Sequence, residues 1–205
     1  MTQEQPISWE LDTILVHGNT RGGPTNASGI PAVRPIYTST TYLHSNAEAL
    51  DSAFSGSSAN GEPGYVYARQ GNPNAYEFES MMAQTECGVG AVAFGSGMAA
   101  IHAALLAAGL APGAKILAAR DLYGATIALL RKVFIPMGVE VIFQNLHCPG
   151  AADLIREEQP DVVFVESISN PLVKVIDLDA ISAAAQDVGA VSIIDSTFTT
   201  PCLLR

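Results

Sequence analysis

The chain has 205 residues, with 48% hydrophobic and 15% charged side chains and a formal net charge of −10. The hydrophobic share excludes a disordered or fibrous chain, and the length suits one domain or part of a larger one. Nucleic-acid and anionic-membrane surfaces need clustered basic residues, so the acidic balance favours a small-molecule partner instead.

The three cysteines, Cys87, Cys148 and Cys202, form no Cys-x-x-Cys pattern. The sequence therefore predicts neither a disulfide framework nor a metal site, and it favours a reducing, cytoplasmic compartment. The N-terminal residues show no basic region followed by an apolar core, so no signal peptide is expected. Residues 87–114 carry no charged side chain, but a Pro-Gly pair breaks the run, which favours a buried strand and a buried helix over a membrane span.

Residues 1–60 show no sustained hydrophobic period, and glycine and proline interrupt them repeatedly. We expect an extended arm with at most one short helix, over Ala47–Phe54. Such an arm has too little apolar surface to fold alone, so we expect it at an interface with a second copy of the protein. Residues 61–205 then form the second region, a partial cofactor-binding domain.

From about residue 75 the pattern alternates between helix and strand. Helices are predicted over Ala75–Cys87, Met98–Ala108, Ala125–Met137, Ala151–Glu158 and Leu178–Val188. Strands are predicted over Gly90–Phe94, Lys115–Ala119, Val139–Phe143, Val162–Val165 and Val191–Ile194. Because these strands are nearly continuous apolar runs, the sequence predicts an α/β fold with a mostly parallel sheet buried beneath helices.

Ligands of such sheets bind beyond the carboxyl ends of the strands. The segments that follow the strands are 95–98 (GSGM), 121–124 (DLYG), 166–171 (ESISNP) and 195–197 (DST). They bring glycines before a helix, an aromatic ring, a side-chain amide and a carboxylate to one edge. This set suits a ligand with a phosphate and a flat heteroaromatic ring that carries a basic nitrogen.

Each group has a physical reason to be there. Free N–H groups and the helix dipole favour a phosphate at the glycine-rich turn. Tyr123 can stack on a flat ring. The carboxylate of Asp195 would keep a ring nitrogen protonated, and a protonated pyridine is the electron sink that pyridoxal phosphate enzymes use.

Other interpretations of these residues remain open. A glycine-rich turn can serve tight packing alone. Tyr123 can be a half-buried residue at the rim of the sheet, and Asp195 can be a helix cap. Residues 95–100 match G-x-G-x-x-A and Asp121 ends the next strand, which is a dinucleotide-binding fingerprint. That hypothesis leaves five features unexplained, namely Tyr67 with Arg69, Asn72-Pro73, Tyr123, Asn170 and Asp195.

Six motifs together resemble one known family. They are residues 35–42 (PIYTSTTY), 67–73 (YARQGNP), 95–101 (GSGMAAI), 121–126 (DLYGAT), 166–171 (ESISNP) and 195–198 (DSTF). In order and spacing they are similar to the Cys/Met-metabolism, or trans-sulfuration, pyridoxal-phosphate enzymes, from about Thr13 to the end of the chain. The resemblance implies pyridoxal 5′-phosphate as cofactor. It also implies the three-layer, mostly parallel sheet of the fold-type I transferase large domain, here incomplete at the C-terminus.

The resemblance implies roles for five residues near the cofactor. Gly97 and Met98 match the backbone cradle of the phosphate, and Tyr123 matches the residue that stacks on the ring. Asp195 matches the partner of the pyridine nitrogen, and Asn170 matches the amide near the ring hydroxyl.

Two further residues, Tyr67 and Arg69, match the pair that reaches the cofactor phosphate of a neighbouring subunit. A guanidinium suits this role because it can bind two phosphate oxygens at once. The resemblance therefore implies self-association as a dimer within a tetramer.

The family's Schiff-base lysine would lie after Arg205, so no catalytic residue is assigned within these residues. The three lysines present, Lys115, Lys132 and Lys174, do not match its position. The chain is interpreted as the N-terminal half of such an enzyme, inactive alone.

The reaction implied is γ-replacement or elimination on a homoserine ester or a sulfur amino acid, similar to that of cystathionine γ-synthase or an O-acylhomoserine sulfhydrylase. Cystathionine or methionine γ-lyase is the alternative within the family, although Ala125 stands where methionine γ-lyases carry a cysteine. From other classes, an NAD-binding domain and a non-catalytic assembly module remain as alternatives.

Overall fold

The computed structural model describes residues 10–17, 35–56 and 63–205. By its internal contacts the chain divides into two compact units, Met1–Ala93 and Phe94–Arg205. The first unit holds three helices in its described part: α1 (Leu11–His17), α2 (Ala47–Phe54) and α3 (Pro73–Thr85).

The expectation of at most one short helix in residues 1–60 is wrong. Helix α2 has the predicted bounds, but α1 is a second helix that packs against α3. Leu11 and Ile14 are half-buried and three residues apart, so they share one face of α1. Packing of one apolar face stabilises a short helix whose own sequence period is too brief to predict it. The remaining residues of the expected arm, 1–9, 18–34 and 57–60, lie outside the described residues.

Hydrogen bonds to the backbone join the segment at residues 37–41 to the segment at residues 67–74 in the first unit. Asn74 donates from its side chain to the carbonyl of Tyr37 at 2.8 Å and accepts the N–H of Tyr37 at 2.9 Å. Thr41 and Tyr67 form an antiparallel bridge. A Cβ at Gly64 would lie 2.5 Å from the Cα of Ala53, so only glycine allows this close approach.

The second unit is an α/β sandwich around a four-stranded sheet. Its elements are α4 (Gly97–Ala107), β1 (Lys115–Ala119), α5 (Gly124–Leu129), β2 (Glu140–Gln144), α6 (Ala151–Glu158), β3 (Val162–Glu166), α7 (Leu178–Asp187), β4 (Val191–Asp195) and α8 (Thr200–Leu203). Helix α5 continues as a π-helical turn over Leu130–Phe134. The strand order is β2-β1-β3-β4, and every neighbouring pair is parallel. The predicted α/β fold with a parallel sheet is confirmed.

The core of this unit lies along the two interior strands. Every residue of β3 is buried, and β1 is buried after its first residue, whereas β2 and β4 at the edges are partly exposed. Full burial of side chains such as Phe164 and Leu117 stabilises the fold by about 1.5–3 kcal/mol each. The register pairs Glu166 with Asp195, so the last residues of β3 and β4 lie side by side.

The predicted strand over Gly90–Phe94 is wrong. These residues form no ladder, and Val92 is 72% exposed. The N–H of Ala93 donates to the carboxylate of Glu79 at 2.8 Å instead of to a strand. An apolar run becomes a strand only when its backbone groups find a partner strand, which the pattern of side chains does not reveal.

The predicted buried helix after this run is also less buried than expected. In α4 only Leu105 is fully buried, and the other residues are half-buried or exposed. Within the described residues, no helix is both long enough and apolar enough to cross a membrane.

Candidate functional site

A cavity of about 350 Å³ lies in the second unit, where the N-terminus of α4 meets the carboxyl ends of β3 and β4. Its lining consists of Ser96, Gly97, Met98, Ile101, Tyr123, Glu166, Ile168, Asn170, Asp195, Thr197 and Phe198. Four separate segments of the chain contribute to it. Five of the residues predicted to bind a cofactor thus share one cavity: Gly97, Met98, Tyr123, Asn170 and Asp195.

The start of α4 presents two N–H groups to this cavity. The hydroxyl of Ser96 accepts the N–H of Ala99 at 3.1 Å, and the carbonyl of Ser96 accepts the N–H of Ala100 at 3.0 Å. Within the described residues, no hydrogen bond uses the N–H groups of Gly97 and Met98, the first two of the helix. Apart from its chain neighbours and the backbone of its own helix, no atom of the described residues would lie within 4 Å of a Cβ at Gly97. Free N–H groups at a helix N-terminus are a suitable site for a phosphate.

Tyr123 lies at the end of the loop that follows β1, directly before helix α5. Tyr123 is 48% exposed and lines the cavity, so its ring is accessible to a flat ligand there. Its backbone N–H donates to Oε1 of Glu166 at 2.5 Å. This hydrogen bond fixes the backbone of Tyr123, in the loop between β1 and α5, beside the last residue of β3.

Asp195, the last residue of β4, has one oxygen occupied and one free. Oδ1 accepts both the N–H of Thr197, at 3.0 Å, and its hydroxyl, at 2.5 Å. Asp195 therefore closes a local turn with Thr197 and does not cap a helix, since Thr199 is the N-cap residue of α8. Within the described part of the chain no hydrogen bond reaches Oδ2, which leaves this oxygen for a cationic group of a ligand.

Glu166 is a residue of the site that the sequence interpretation did not single out. It ends β3, is 4% exposed, and lines the cavity beside Asp195. Its Oε2 accepts the N–H of Asn170 at 3.2 Å, so the carboxylate binds both the Tyr123 and the Asn170 loops. Burial raises the pKa of Glu166, and the nearby Asp195 carboxylate adds to this effect. A lone acidic residue at the end of an otherwise apolar strand was the available signal.

An ion pair links the same two loops outside the cavity lining. Lys174 donates to Oδ2 of Asp121 at 2.6 Å. This hydrogen bond holds the pKa of Asp121 below its ordinary value. The His147 ring, 5% exposed, lies 3.9 Å from the same oxygen, and its burial lowers the pKa of the imidazole.

The occupied Asp121 carboxylate counts against the dinucleotide hypothesis. In that fingerprint the acidic residue binds the hydroxyls of a ribose. Here Lys174 already holds one oxygen of Asp121, and Asp121 does not line the cavity.

None of the three lysines lines the cavity. Lys174 pairs with Asp121, Lys115 donates to the carbonyl of Glu158 at 2.9 Å, and Lys132 is exposed on the π-helical turn. Among the described residues, no group of three or more His, Cys, Asp or Glu side chains is arranged to hold a metal ion.

Tyr67 and Arg69 belong to the first unit. The Arg69 guanidinium carbon lies 4.7 Å from the centroid of the Tyr67 ring, within the range of a cation–π interaction. Their contact with the phosphate of a neighbouring subunit stays a prediction.

Comparison with known proteins gives consistent results. The family model described as Cys/Met metabolism PLP-dependent enzyme matches residues 12–205. A cystathionine beta-lyase of Lactococcus lactis subsp. cremoris is 34% identical over 196 residues, which cover 94% of this chain and 46% of the relative. An O-succinylhomoserine sulfhydrylase of Pseudomonas aeruginosa is 33% identical over 193 residues, with coverage of 94% and 46%.

The fold also matches a solved structure. A crystal structure of cystathionine gamma synthase from Xanthomonas oryzae pv. oryzae, in complex with cystathionine, superposes with a TM-score of 0.77 at 26% identity. The match covers 95% of this chain and 46% of the other. The chain thus spans about half the length of the relatives that it matches.

Proposed function

Because the chain belongs to the family of Cys/Met metabolism PLP-dependent enzymes, we propose that its cavity binds pyridoxal 5′-phosphate for a trans-sulfuration reaction. The observation that carries this proposal is the convergence of five predicted residues from four segments on one cavity. Its volume of about 350 Å³ lies in the range of small-molecule sites.

The groups in the cavity fit the parts of this cofactor. The N–H groups of Gly97 and Met98 would bind the phosphate, and the Tyr123 ring would stack on the pyridine. Oδ2 of Asp195 would hold the proton on the pyridine nitrogen, because a nearby carboxylate stabilises the cationic ring. The Asn170 side chain would bind the ring hydroxyl. When bound, the cofactor supplies an electron sink for bonds next to the amino group of a substrate.

The experiment that tests this proposal measures binding of pyridoxamine 5′-phosphate, which lacks the aldehyde and so binds without a covalent bond. We expect calorimetry to show saturable binding, and Asp195→Asn to weaken it by about tenfold or more, since a hydrogen bond to a charged group is lost. Asp161→Asn is the matched control, because Asp161 precedes β3 at the opposite end of the sheet. Equal binding by the wild type and Asp195→Asn would contradict the proposed site.

For the whole protein, we propose γ-replacement or elimination on a homoserine ester or a sulfur amino acid, as in cystathionine γ-synthase. The names of the P. aeruginosa sulfhydrylase and the X. oryzae synthase support this substrate class. The L. lactis relative supports a cystathionine lyase as the second candidate. Incubation of the full-length enzyme with O-succinylhomoserine and cysteine separates the two, because only the synthase forms cystathionine from them.

We further propose that none of Lys115, Lys132 and Lys174 binds the cofactor covalently, and that residues 1–205 alone do not turn over substrate. The placement of all three lysines outside the cavity lining supports this. Borohydride reduction in the presence of pyridoxal 5′-phosphate, followed by peptide mapping, tests it. Stoichiometric labelling of any of the three would contradict it.

The proposal includes a shared active site in a dimer within a tetramer, with residues 1–60 at the interface and Tyr67 and Arg69 reaching the neighbouring phosphate. The three free cysteines suit a reducing, cytoplasmic setting. Full-length Arg69→Met and Asp195→Asn proteins should each be inactive, and mixing them should restore activity in hybrid dimers. Failure of mixing, with hybrid dimers shown by mass spectrometry, would contradict the shared site.

A further inference from the structure

Glu166 is a buried carboxylate that no described cation neutralises. It is 4% exposed, and within the described residues no Lys, Arg or His lies within ion-pair distance of it. Its carboxylate instead accepts two backbone N–H groups, from Tyr123 at 2.5 Å and from Asn170 at 3.2 Å. Tyr123 lies 43 residues away in the chain, and Asn170 lies in the loop that directly follows β3.

Burial of a carboxylate is costly unless its oxygens are hydrogen-bonded. The other four residues of β3 are apolar and equally buried, so the packing of this strand does not require an acid at its end. The free-energy cost of burying the Glu166 carboxylate must therefore be offset by another interaction. That interaction is the pair of hydrogen bonds, one on each oxygen, to the two loops that build the cavity.

We propose that Glu166 is a positioning residue that fixes the distance between Tyr123 and Asn170 and thereby the width of the cofactor cavity. This inference rests on the proposed function. In the proposed site, the Tyr123 side chain would contact the face of the cofactor ring and the Asn170 side chain its hydroxyl. If the backbone of either loop shifts, the ring loses one of these contacts.

The ion pair between Lys174 and Asp121 provides an internal comparison. It joins the same two loops, since Asp121 precedes Tyr123 by two residues and Lys174 follows Asn170 by four. However, the Lys174 side chain is 39% exposed and water weakens its ion pair. We therefore expect Glu166, whose carboxylate is buried, to restrain the two loops more than this ion pair does.

The first measurement is amide hydrogen exchange on the unliganded protein. Glu166→Gln keeps the shape of the side chain but retains one acceptor oxygen, so one of its two hydrogen bonds is lost. We expect the amide of Tyr123 or of Asn170 to exchange about tenfold faster. Asp161→Asn is the matched control, because Asp161 accepts the N–H of Lys115 at 2.7 Å. Its effect should appear at Lys115 and not at the two loop amides.

The second measurement is the affinity for pyridoxamine 5′-phosphate. Glu166→Gln should bind about tenfold more weakly than the wild type, and Asp161→Asn should bind equally well. Circular dichroism checks that both variants are folded. The proposal is overturned if Glu166→Gln leaves both loop amides unchanged, or if it speeds exchange without weakening binding.

A third outcome separates this inference from the proposed function. If the wild type fails to bind pyridoxamine 5′-phosphate while Glu166→Gln still speeds exchange at the loop amides, the cofactor assignment is overturned and the positioning of the two loops by Glu166 is supported.

Discussion

At the amino ends of the strands the exposed carboxylate of Asp161 accepts the N–H of Lys115, whereas at the carboxyl ends the buried carboxylate of Glu166 accepts the N–H of Tyr123. Asp161 directly precedes β3 and binds the first residue of β1, whereas Glu166 ends β3 and binds Tyr123 in the loop that follows β1. At the first end the neighbouring backbone continues the ladder, as Asp161 donates to the carbonyl of Lys115 at 2.9 Å. At the second end the loops diverge and leave a cavity. The comparison teaches that the same contact, a carboxylate that accepts a backbone N–H, continues the sheet at one end and holds the loops around a cavity at the other.

The largest expected effect comes from a core substitution in β3, which should destabilise both ends of the strand together. Phe164 lies in β3 between the two acids and is fully buried. Phe164→Ala should lower the free energy of unfolding by about 3–5 kcal/mol through the cavity it leaves. Urea denaturation measures this, with Val191→Ala on the partly exposed edge strand as control, expected below about 1 kcal/mol. A similar small loss for both variants would contradict the position of the core.

A smaller effect sharpens the role of the carboxyl end. Gly97 is the first residue of α4, and Ser96 before it is extended with φ −161° and ψ 156°, which proline at position 97 tolerates. Gly97→Pro should preserve the helix but remove one N–H group from the phosphate site. We expect affinity for pyridoxamine 5′-phosphate to fall by about 1.5–3 kcal/mol.

The control for this variant is a ligand and not a second protein. Pyridoxamine without a phosphate should bind Gly97→Pro and the wild type equally, as measured by calorimetry. An equal loss for both ligands would mean that the substitution distorts the cavity, and would count against the phosphate cradle.

The pH dependence of stability tests the burial of Glu166. Because burial raises its pKa, the native protein holds the Glu166 proton to a higher pH than the unfolded chain does. Its contribution to stability is therefore fully present below the ordinary glutamate pKa and declines as the pH rises through the raised value. The free energy of unfolding of the wild type, relative to Glu166→Gln, should decrease from pH 4 upward in urea titrations. An increase would contradict the direction of the shift.

The smallest effect concerns the exposed link between the loops. Lys174→Met should cost about 0.5–1 kcal/mol of unfolding free energy at neutral pH, because water screens the pair with Asp121. This contribution should fade as the pH falls through the lowered pKa of Asp121. Lys132→Met, at an exposed position of the π-helical turn, is the control and should be nearly neutral. A larger loss at acidic than at neutral pH would contradict the pairing.

Much of the second unit could be predicted from the sequence. The bounds of β1 and α6 agree with their predicted ranges. The order of apolar and polar residues within such a short segment is enough to predict its secondary structure. The five cavity residues were predictable for a similar reason. Parallel strands bring their carboxyl ends to one edge, so residues that follow strands meet without any knowledge of their contacts.

Contacts between residues that lie far apart in the chain could not be predicted from the sequence. Residues 90–94 before α4 have the composition of a strand, but no strand of the described part of the chain pairs with them. Helix α1 forms because α3 packs against its apolar face. The place of Glu166 in the site was not predicted, because its carboxylate acts through hydrogen bonds to two loops, one of them 43 residues away. Such contacts leave no local pattern of hydrophobic and polar residues.

The π-helical turn over Leu130–Phe134 constrains how this protein can change in length. The turn places both Leu130 and Phe134 in the core, and the Phe134 ring meets His102 at 5.6 Å between centroids. A π-helical turn accommodates one residue more than an α-helical turn, so deletion of one residue within it would restore regular α-helical geometry and keep the flanking residues on their present faces. Deletion of one residue elsewhere in this helix would instead rotate the residues on one side of it by about 100° and turn Leu130 or Phe134 away from the core. The π-helical turn is thus the point at which this helix tolerates a change in length.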